Sequence, residues 1–346
     1  MNKPKINTMK ELSKAIGISR PTLARFFEDE AKVLPSTSKK IKERLEGVDY
    51  VYNFLATRQN RKTTGLIGVI VPRFQDLFFA SLLDSIEKAA RVAGYTIITQ
   101  SSHGEKDYEE QAVNKLRSMN VDGAIIAPLG IEGNFEAFKS AVSDFPIIFA
   151  DSRPSKPLPN SDFVGTDNEK SIGLIVEYLC RSGKAPIFLA MPNLNTNAIE
   201  RKEAYFEKMR ELGIQPEVVD TPKGNSSWQF EQYGFEVMDS HFGQGRYVDA
   251  TLLCANDRIA IGAIRAANTH NLFFGGSGSR GELRIAGHDD HPLSRYIFPS
   301  ITTVAQEVDD IGNEAVKLLI NRIRNGRDGV TLMQRLEGTL KIREST

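Results

Sequence analysis

The sequence predicts an α/β protein with an all-α helix-turn-helix head at its N-terminus, followed by a core of two doubly wound parallel-sheet subdomains. Three observations support this fold class. The chain has 346 residues, a length that suits two or three domains. Residues 1–63 carry fourteen basic and seven acidic side chains, although the whole chain has zero net charge. From Gly65 onward, short apolar runs alternate with segments of helical periodicity, which is typical of parallel sheets with right-handed crossovers.

The N-terminal segment has the signals of three short helices. Thr8 and Glu11 are spaced as a capping box that begins the first helix. Gly17 can end that helix in a tight turn, and Ser19 can cap the second helix two residues later. A third helix fits residues 36–45. Two helices separated by a short glycine-containing turn are typical of a helix-turn-helix motif, and the excess of basic side chains predicts a polyanionic partner.

A linker follows the head. Residues 50–58 could form about two turns of helix, which is too short to be stable alone. Residues 58–64 are polar and largely basic. We therefore expect a short hinge that joins the head to the core.

The core begins with a continuous apolar run, Leu66 to Val71, of the kind found in strands that are buried on both faces. We predict the following further helices and strands: helices 78–92, 108–118, 135–142, 173–181, 198–211, 232–241 and 258–268; strands 94–99, 123–127, 146–150, 185–190, 218–219, 250–255 and 283–287. A parallel α/β core of this length predicts a ligand cleft at the carboxyl ends of the strands, between the two subdomains.

Seven segments, in this order, together resemble the LacI/GalR (lactose-repressor) family of bacterial transcription regulators. They are Thr8 to Arg25, Asn53 to Ala56, Gly65 to Pro72, Phe78-Phe79-Ala80, Cys254-Ala255-Asn256-Asp257, Gly287-His288-Asp289-Asp290 and Ile301-Thr302-Thr303-Val304. The resemblance implies a periplasmic-binding-protein-like core and a homodimer that binds a palindromic double-stranded operator and responds to a small effector.

The same resemblance implies a division of the chain. Residues 1–49 would form the helix-turn-helix domain and residues 50–63 the hinge helix and linker. The N-terminal core subdomain would comprise 64–163 with 291–325, and the C-terminal core subdomain 164–290 with 326–346.

The resemblance places the DNA contacts on the second helix and on the hinge. Arg20 and Pro21 match the family's two sequence-reading positions, and Arg25 matches a further base-contacting arginine. Arginine can bind guanine O6 and N7 in a bidentate manner; the alternative is that both arginines are solvated surface residues. Phosphate contacts or helix caps are expected of Thr8, Ser19 and Thr22.

In the hinge, the matching residues are Asn53, Leu55, Ala56 and Arg58. The family inserts this leucine into the minor groove to kink the duplex, and the alternative for Leu55 is ordinary packing. Tyr52 stands where the family commonly has a proline.

The effector contacts are expected at the mouth of the cleft. Phe78 and Phe79 match an aromatic pair that lines the family's effector pocket, although core packing is the alternative for one of them. Asp151, Arg201, Asn256 and Asp289 follow predicted strands, and their carboxylates, guanidinium and amide suit a hydroxyl-rich ligand. Trp228, the single tryptophan, matches a position where an aromatic ring stacks on a sugar. These residues favour a sugar or sugar derivative; a purine effector is the alternative.

Other kinds of site are disfavoured. Gly276 to Gly281 fits the dinucleotide pattern G-x-G-x-x-G, but a strand rather than a helix is predicted after it. His288 to His291 could suggest a metal, although alternating backbone directions would point neighbouring side chains apart. No nucleophile elbow, phosphate-binding loop or zinc-protease motif is present, so we expect neither an enzyme nor a cofactor.

The remaining features concern the cellular compartment. Cys180 and Cys254 lie far apart in apolar segments, which suits a reducing cytosol. The N-terminus lacks the apolar stretch of a signal peptide, and no apolar run is long enough to span a membrane. We therefore expect a cytoplasmic protein. A solute-binding protein shares the predicted core fold and remains the alternative, disfavoured by the basic head.

Overall fold

The computed structural model describes residues 3–52, 63–130, 134–222, 228–273, 282–326 and 329–346. It consists of two compact units, which we name the head unit (Met1–Thr64) and the core unit (Gly65–Thr346). The residues Asn53, Leu55, Ala56 and Arg58 of the expected hinge, and the Gly276 to Gly281 loop, lie outside the described residues.

The described residues of the head unit, 3–52 and 63–64, form three α-helices and a small parallel pair of strands. The elements are β1 (Lys5–Ile6), α1 (Met9–Ile16), α2 (Arg20–Glu28), a 3-10 turn (Glu30–Lys32), α3 (Pro35–Leu45) and β2 (Asp49–Tyr50). Five buried side chains form its core: Ile6, Leu12, Ile16, Leu23 and Ile41. The third helix begins one residue earlier than predicted because Pro35 occupies its first turn, where a missing N–H costs little.

The helix ends of the head unit confirm the predicted capping. The Thr8 hydroxyl accepts a hydrogen bond from the Glu11 amide at 3.1 Å, while the Glu11 carboxylate accepts one from the Thr8 amide at 3.3 Å. Gly17 ends α1 with a φ of +61°, in the left-handed region that favours glycine. The Ser19 hydroxyl caps α2 by accepting from the Thr22 amide at 3.3 Å.

The part of the core unit that the structure describes contains two parallel sheets. The strands of the larger sheet are β3 (Leu66–Val71), β4 (Thr96–Ser101), β5 (Gly123–Ile126), β6 (Ile147–Ala150), β7 (Ser161–Thr166) and β12 (Met333–Leu336). Their order is β12-β7-β6-β5-β3-β4. Helices α4 (Leu77–Val92), α5 (Lys106–Ser118), α6 (Phe135–Val142) and α11 (Val308–Asn325) accompany this sheet, and α4 packs against α11.

The smaller sheet has the order β10-β9-β8. Its strands are β8 (Pro186–Leu189), β9 (Thr251–Cys254) and β10 (Arg284–Ala286), and its helices are α7 (Asn168–Ser182), α8 (Thr196–Glu211), α9 (Phe230–Gly243) and α10 (Asp257–Thr269). Strands β11 (Thr303–Ala305) and β13 (Thr339–Lys341) form a separate antiparallel pair. The central strands β3, β5, β6 and β9 are buried along their whole length, as their continuous apolar runs predict.

The C-terminal segment, which the sequence assigns to the C-terminal core subdomain, contributes strands to two different sheets. Strand β12 lies in the larger sheet beside β7, and not in the smaller sheet. The Asp162 carboxylate of β7 holds this edge, because it accepts hydrogen bonds from the Leu332 amide at 2.8 Å and from the Arg322 guanidinium at 2.7 Å. The subdomain limits drawn from the sequence stay predictions. Within the described ranges, no helix is long and apolar enough to cross a membrane.

Candidate functional site

One cavity of the core unit brings together all seven residues that the sequence predicts as effector contacts. The empty space between its lining residues is about 430 Å³, part of which is open to solvent. The predicted residues that line it are Phe78, Phe79, Asp151, Arg201, Trp228, Asn256 and Asp289. They come from segments that follow both sheets, so the cavity lies at the predicted cleft.

An aromatic wall forms one side of this cavity. Phe78 and Phe79 open α4, and their rings meet edge to face at 5.2 Å between centroids. Phe79 lies 6.4 Å from Trp228, which in turn lies 5.6 Å from Phe230. Both phenylalanines of the pair line the cavity and both are buried, so neither belongs to the core alone.

The tryptophan is held by a close approach of the backbone. A Cβ atom on Gly104 would lie 2.3 Å from Cδ1 of Trp228, and Gly104 has a φ of +78°. Only glycine suits this position, because both the space and the left-handed conformation exclude other side chains. The indole Nε1 of Trp228 is buried and has no hydrogen-bond partner among the described residues.

Arg201 lines the cavity and is buried, with only 3% of its side chain exposed. Its three guanidinium nitrogens each donate to a protein acceptor. Nε donates to Asn168 at 3.0 Å, Nη1 donates to the Ala255 carbonyl at 2.8 Å, and Nη2 forms an ion pair with Asp289 at 2.9 Å. Arg201 therefore links α8 to the segments that follow β9 and β10.

One carboxylate oxygen of Asp289 accepts from three donors. Its Oδ1 accepts from Arg201, from His288 Nδ1 at 3.0 Å and from Gln306 Nε2 at 2.8 Å. Burial favours the neutral form, but Arg201 and His288 outweigh it and hold the pKa of Asp289 below its ordinary value. The backbone of Asp289 has a φ of +117°, a strained conformation of the kind that concentrates at functional sites.

Asp151 has a different environment, although it lines the same cavity. It follows β6 with a φ of +65°, and its Oδ1 accepts from Asn197 Nδ2 at 3.2 Å. Burial raises the pKa of Asp151 to about 7; Arg201 opposes the rise, and the nearby carboxylates of Asp289 and Asp76 add to it. A buried carboxyl with such a pKa can change its protonation state near neutral pH.

Asn256 also has a structural role. Its side-chain oxygen caps α10 by accepting from the Ile259 amide at 2.9 Å, and its Nδ2 lies 3.7 Å from the sulfur of Met191. The cap occupies one half of the amide, so a ligand contact would use the other half.

Sequence reasoning missed an ion pair at this site. Asp76 Oδ2 and Arg258 Nη1 lie 2.8 Å apart, although 182 positions separate them in the chain. Glu231 binds the same guanidinium through two hydrogen bonds of 2.6 Å, and Phe230 lies under it at 5.2 Å. Asp76 also caps α4 by accepting from the Phe78 amide at 3.0 Å.

The remaining unpredicted lining residues are Met191, Asn195, Asn197, Phe230, His291 and Gln306.

Among the residues that the sequence analysis missed, only Asp76 and Arg258 lie at positions that could have drawn attention in the sequence. Asp76 is a good N-cap residue two positions before the predicted helix 78–92, and Arg258 directly follows Asn256 and Asp257. Their pairing requires two loops from distant parts of the chain to meet, and no spacing rule predicts that contact.

The His288 to His291 segment is held by protein contacts. His288 is fully buried between Asp289 and the Ser171 hydroxyl, which lies 2.8 Å from Nε2, and burial lowers the pKa of His288 to about 4. Within the described residues, no group of three or more His, Cys, Asp or Glu side chains is arranged to hold a metal ion.

The head unit presents the residues predicted to read DNA on one face of α2. Arg20, Pro21 and Arg25 are exposed, and they lie opposite Leu23, which is fully buried. Tyr52 stacks on Phe27 of the same helix, with ring centroids 4.7 Å apart and planes 13° apart. The helix is thereby anchored on one side and open to solvent on the other.

Comparisons with known proteins show similarity to a binding-protein domain and to transcriptional regulators. Residues 176–346 match the periplasmic binding protein-like domain. The HTH-type transcriptional repressor PurR of Histophilus somni is 25% identical over 323 residues, which cover 91% of this chain and 92% of that protein. Catabolite control protein A of Priestia megaterium is 27% identical over 343 residues, covering 98% and 99%.

Among solved structures, the lac repressor bound to ONPG in its repressed state matches with a TM-score of 0.82 and 24% identity, over 99% of this chain and 100% of that one. This likeness shows a shared fold along the whole chain, head and core included.

Proposed function

The chain belongs to the LacI/GalR family of transcriptional regulators, and from this premise we propose that it is a cytoplasmic repressor whose operator affinity is set by a small molecule in the cleft. The single observation that carries the proposal is the convergence of seven residues, chosen from the sequence, on one cavity. The same chain has a basic head, in which α2 exposes Arg20, Pro21 and Arg25.

We propose that the chain binds DNA as a homodimer on a palindromic operator. Arg20 and Arg25 would read base edges, with Pro21 in apolar contact. Thr8, Ser19 and Thr22 would lie near phosphates, a role compatible with the caps that Thr8 and Ser19 already form. The hinge residues Asn53, Leu55, Ala56 and Arg58 would complete the contact in the minor groove.

We propose a sugar or sugar derivative as the effector. The aromatic side chains that line the cavity provide an apolar face for the sugar ring, and the carboxylate and amide groups of the same cavity provide acceptors for its hydroxyl groups. The effector would contact both subdomains, and operator and effector affinities would then be coupled reciprocally by about 1–3 kcal/mol.

A purine effector is the second candidate, because the aromatic wall is compatible with a flat base. The rings of Phe78, Phe79 and Trp228 would stack on a flat base as well as on a sugar. The two candidates differ in chemistry but leave the regulatory mechanism unchanged.

A ligand screen followed by operator titration tests the proposal. Purified protein is screened by thermal shift against sugars, sugar phosphates, purines and polyols, because a ligand at a hundred times its Kd stabilises the folded state by about 2.7 kcal/mol. Each hit is then added to a fluorescence titration of operator DNA. We expect a hit that changes operator affinity by about tenfold. A hit that stabilises the protein but leaves operator affinity unchanged would contradict the proposed coupling.

A further inference from the structure

Both arginines that line the cavity are already occupied by protein acceptors. Each guanidinium nitrogen of Arg201 donates to Asn168, Ala255 or Asp289. Arg258 Nη1 donates to Asp76, Nε donates to Glu231, and Nη2 donates to Glu231 and to the Trp228 carbonyl at 3.2 Å. These contacts use three of the five N–H donors of Arg201 and four of the five of Arg258, and they place a carboxylate beside each guanidinium, so neither group favours a ligand anion.

Two carboxylates in the same cavity keep an oxygen for a ligand. The three donors that Asp289 accepts from, Arg201, His288 and Gln306, all bind its Oδ1, and no described residue donates to its Oδ2. Asp151 accepts one hydrogen bond from a neutral amide, and no cationic group of the described residues lies within ion-pair distance of it. Asp151 is 95% buried, with 5% of its surface exposed. An isolated buried carboxylate is costly unless something compensates it.

The charged side chains that line a groove next to the cavity are also mainly negative. This groove, of about 1140 Å³, shares Phe78, Asp289, His291 and Gln306 with the cavity. Five carboxylates line it, from Asp84, Asp289, Asp290, Glu307 and Asp309, against one amine, Lys88. Lys88 pairs with Asp84, and Asp290 pairs with Arg343 and Arg295. Glu307 and Asp309 have no ion-pair partner among the described residues, so the groove favours cations over anions.

We propose that the effector carries a protonated amine among its hydroxyl groups, and that Asp151 is the residue that binds this amine. This inference rests on the proposed function, because it specifies the ligand of the same cleft. An ammonium group would donate to the open oxygens of Asp151 and Asp289, and it would compensate the buried carboxylate. An amino sugar carries both the hydroxyl groups and the protonated amine. A sugar phosphate has no amine, and its negative charge cannot compensate a carboxylate.

Matched sets of sugars test this inference. The full-length protein is titrated by calorimetry with the 2-amino and 6-amino forms of glucose, galactose and mannose. The pH is about 7.5, where Asp151, with a pKa of about 7, is mostly ionised and simple amines keep most of their protons. Each amino sugar is compared with its parent sugar, its N-acetyl form and its 6-phosphate. The N-acetyl form keeps the nitrogen but removes the charge. We expect at least one amino sugar to bind about tenfold more tightly than its parent and its N-acetyl form, and the phosphates not to bind.

Two variants locate the effect. Asp151→Asn keeps the shape of the side chain but removes its charge, and we expect it to abolish the preference for the amine. Asp107→Asn removes an exposed carboxylate outside the cavity and the groove and serves as the matched control, in which the preference is kept. Thermal unfolding of each variant confirms that it is folded.

Each remaining outcome counts against the inference. A parent sugar or purine that binds more tightly than every amino sugar would overturn the amine and leave the proposed regulator standing, as would binding of a phosphate. Absence of binding by the whole panel would also overturn it. Operator binding, measured separately, then decides whether the proposed function fails with it.

Discussion

Replacing Asp151 by asparagine should stabilise the protein, and should do so in a pH-dependent manner. The folded chain raises the pKa of this carboxyl from its ordinary value of 3.8 to about 7, chiefly by burial. Ionisation is therefore less favourable in the folded state than in the unfolded state. The resulting destabilisation is absent below a pH of about 4, grows as the pH rises, and is complete above about 7.

The size of the effect follows from the two pKa values. The difference between 3.8 and about 7 corresponds to about 4 kcal/mol of lost stability at pH values above 7, as an upper bound, and about 2 kcal/mol at a pH of about 5. Asparagine has no charge to desolvate, and its oxygen can still accept from Asn197. We expect Asp151→Asn to be more stable than the wild type by up to these amounts.

Urea unfolding at pH values of about 5 and about 8 measures the difference. Trp228, the only tryptophan of the chain, lies in the core unit and reports its unfolding by fluorescence. Asp84→Asn is the control, because the Asp84 side chain is 61% exposed. The reasoning is refuted when Asp151→Asn is less stable than the wild type at the higher pH, or when its gain is the same at both values.

Three further predictions concern other parts of the molecule. Arg25→Ala should weaken binding to the preferred operator by about 1–3 kcal/mol in a fluorescence titration, with little effect on random duplex DNA; equal losses on both would argue against base reading. Asp76→Asn and Arg258→Gln should each destabilise the core unit, and a double-mutant cycle by urea unfolding should give a coupling of about 1–3 kcal/mol; additive losses would mean that their ion pair of 2.8 Å contributes nothing. Thr8→Ala should cost the head unit about 1 kcal/mol in thermal unfolding, because it removes a capping box; no change would show that the cap is dispensable.

Local rules predict most of the fold. The amphipathic helices and the continuous apolar strands of the core follow from periodicity, and the ends of α1 and α2 follow from the chemistry of Thr8, Gly17 and Ser19. Strand β7 escaped prediction because Ser161, Asp162 and Thr166 make it polar in sequence, although all its residues are buried. Asp162 is compensated by Arg322, a partner 160 positions away.

The candidate site likewise has residues whose position the sequence predicts and contacts that it does not. Parallel topology places Asp151, Asn256 and Asp289 at the carboxyl ends of strands, so their convergence could be anticipated. The pairing of Asp76 with Arg258 could not, because it depends on how two loops meet across the cleft. The occupancy of Arg201 by protein acceptors was equally hidden, since a sequence shows a guanidinium but not the carboxylate that binds it.

Selection of binding sites from a random pool of duplex DNA tests the central claim most directly. The full-length protein is incubated with the pool, bound duplexes are recovered and sequenced, and Arg20→Ala and Arg25→Ala are processed in parallel. We predict that the wild type enriches a palindrome of two equal half-sites, as a dimer requires, and that each variant loses specificity at defined positions of both half-sites. Absence of an enriched sequence, or an unchanged palindrome from both variants, would contradict the proposal that this chain reads an operator through α2.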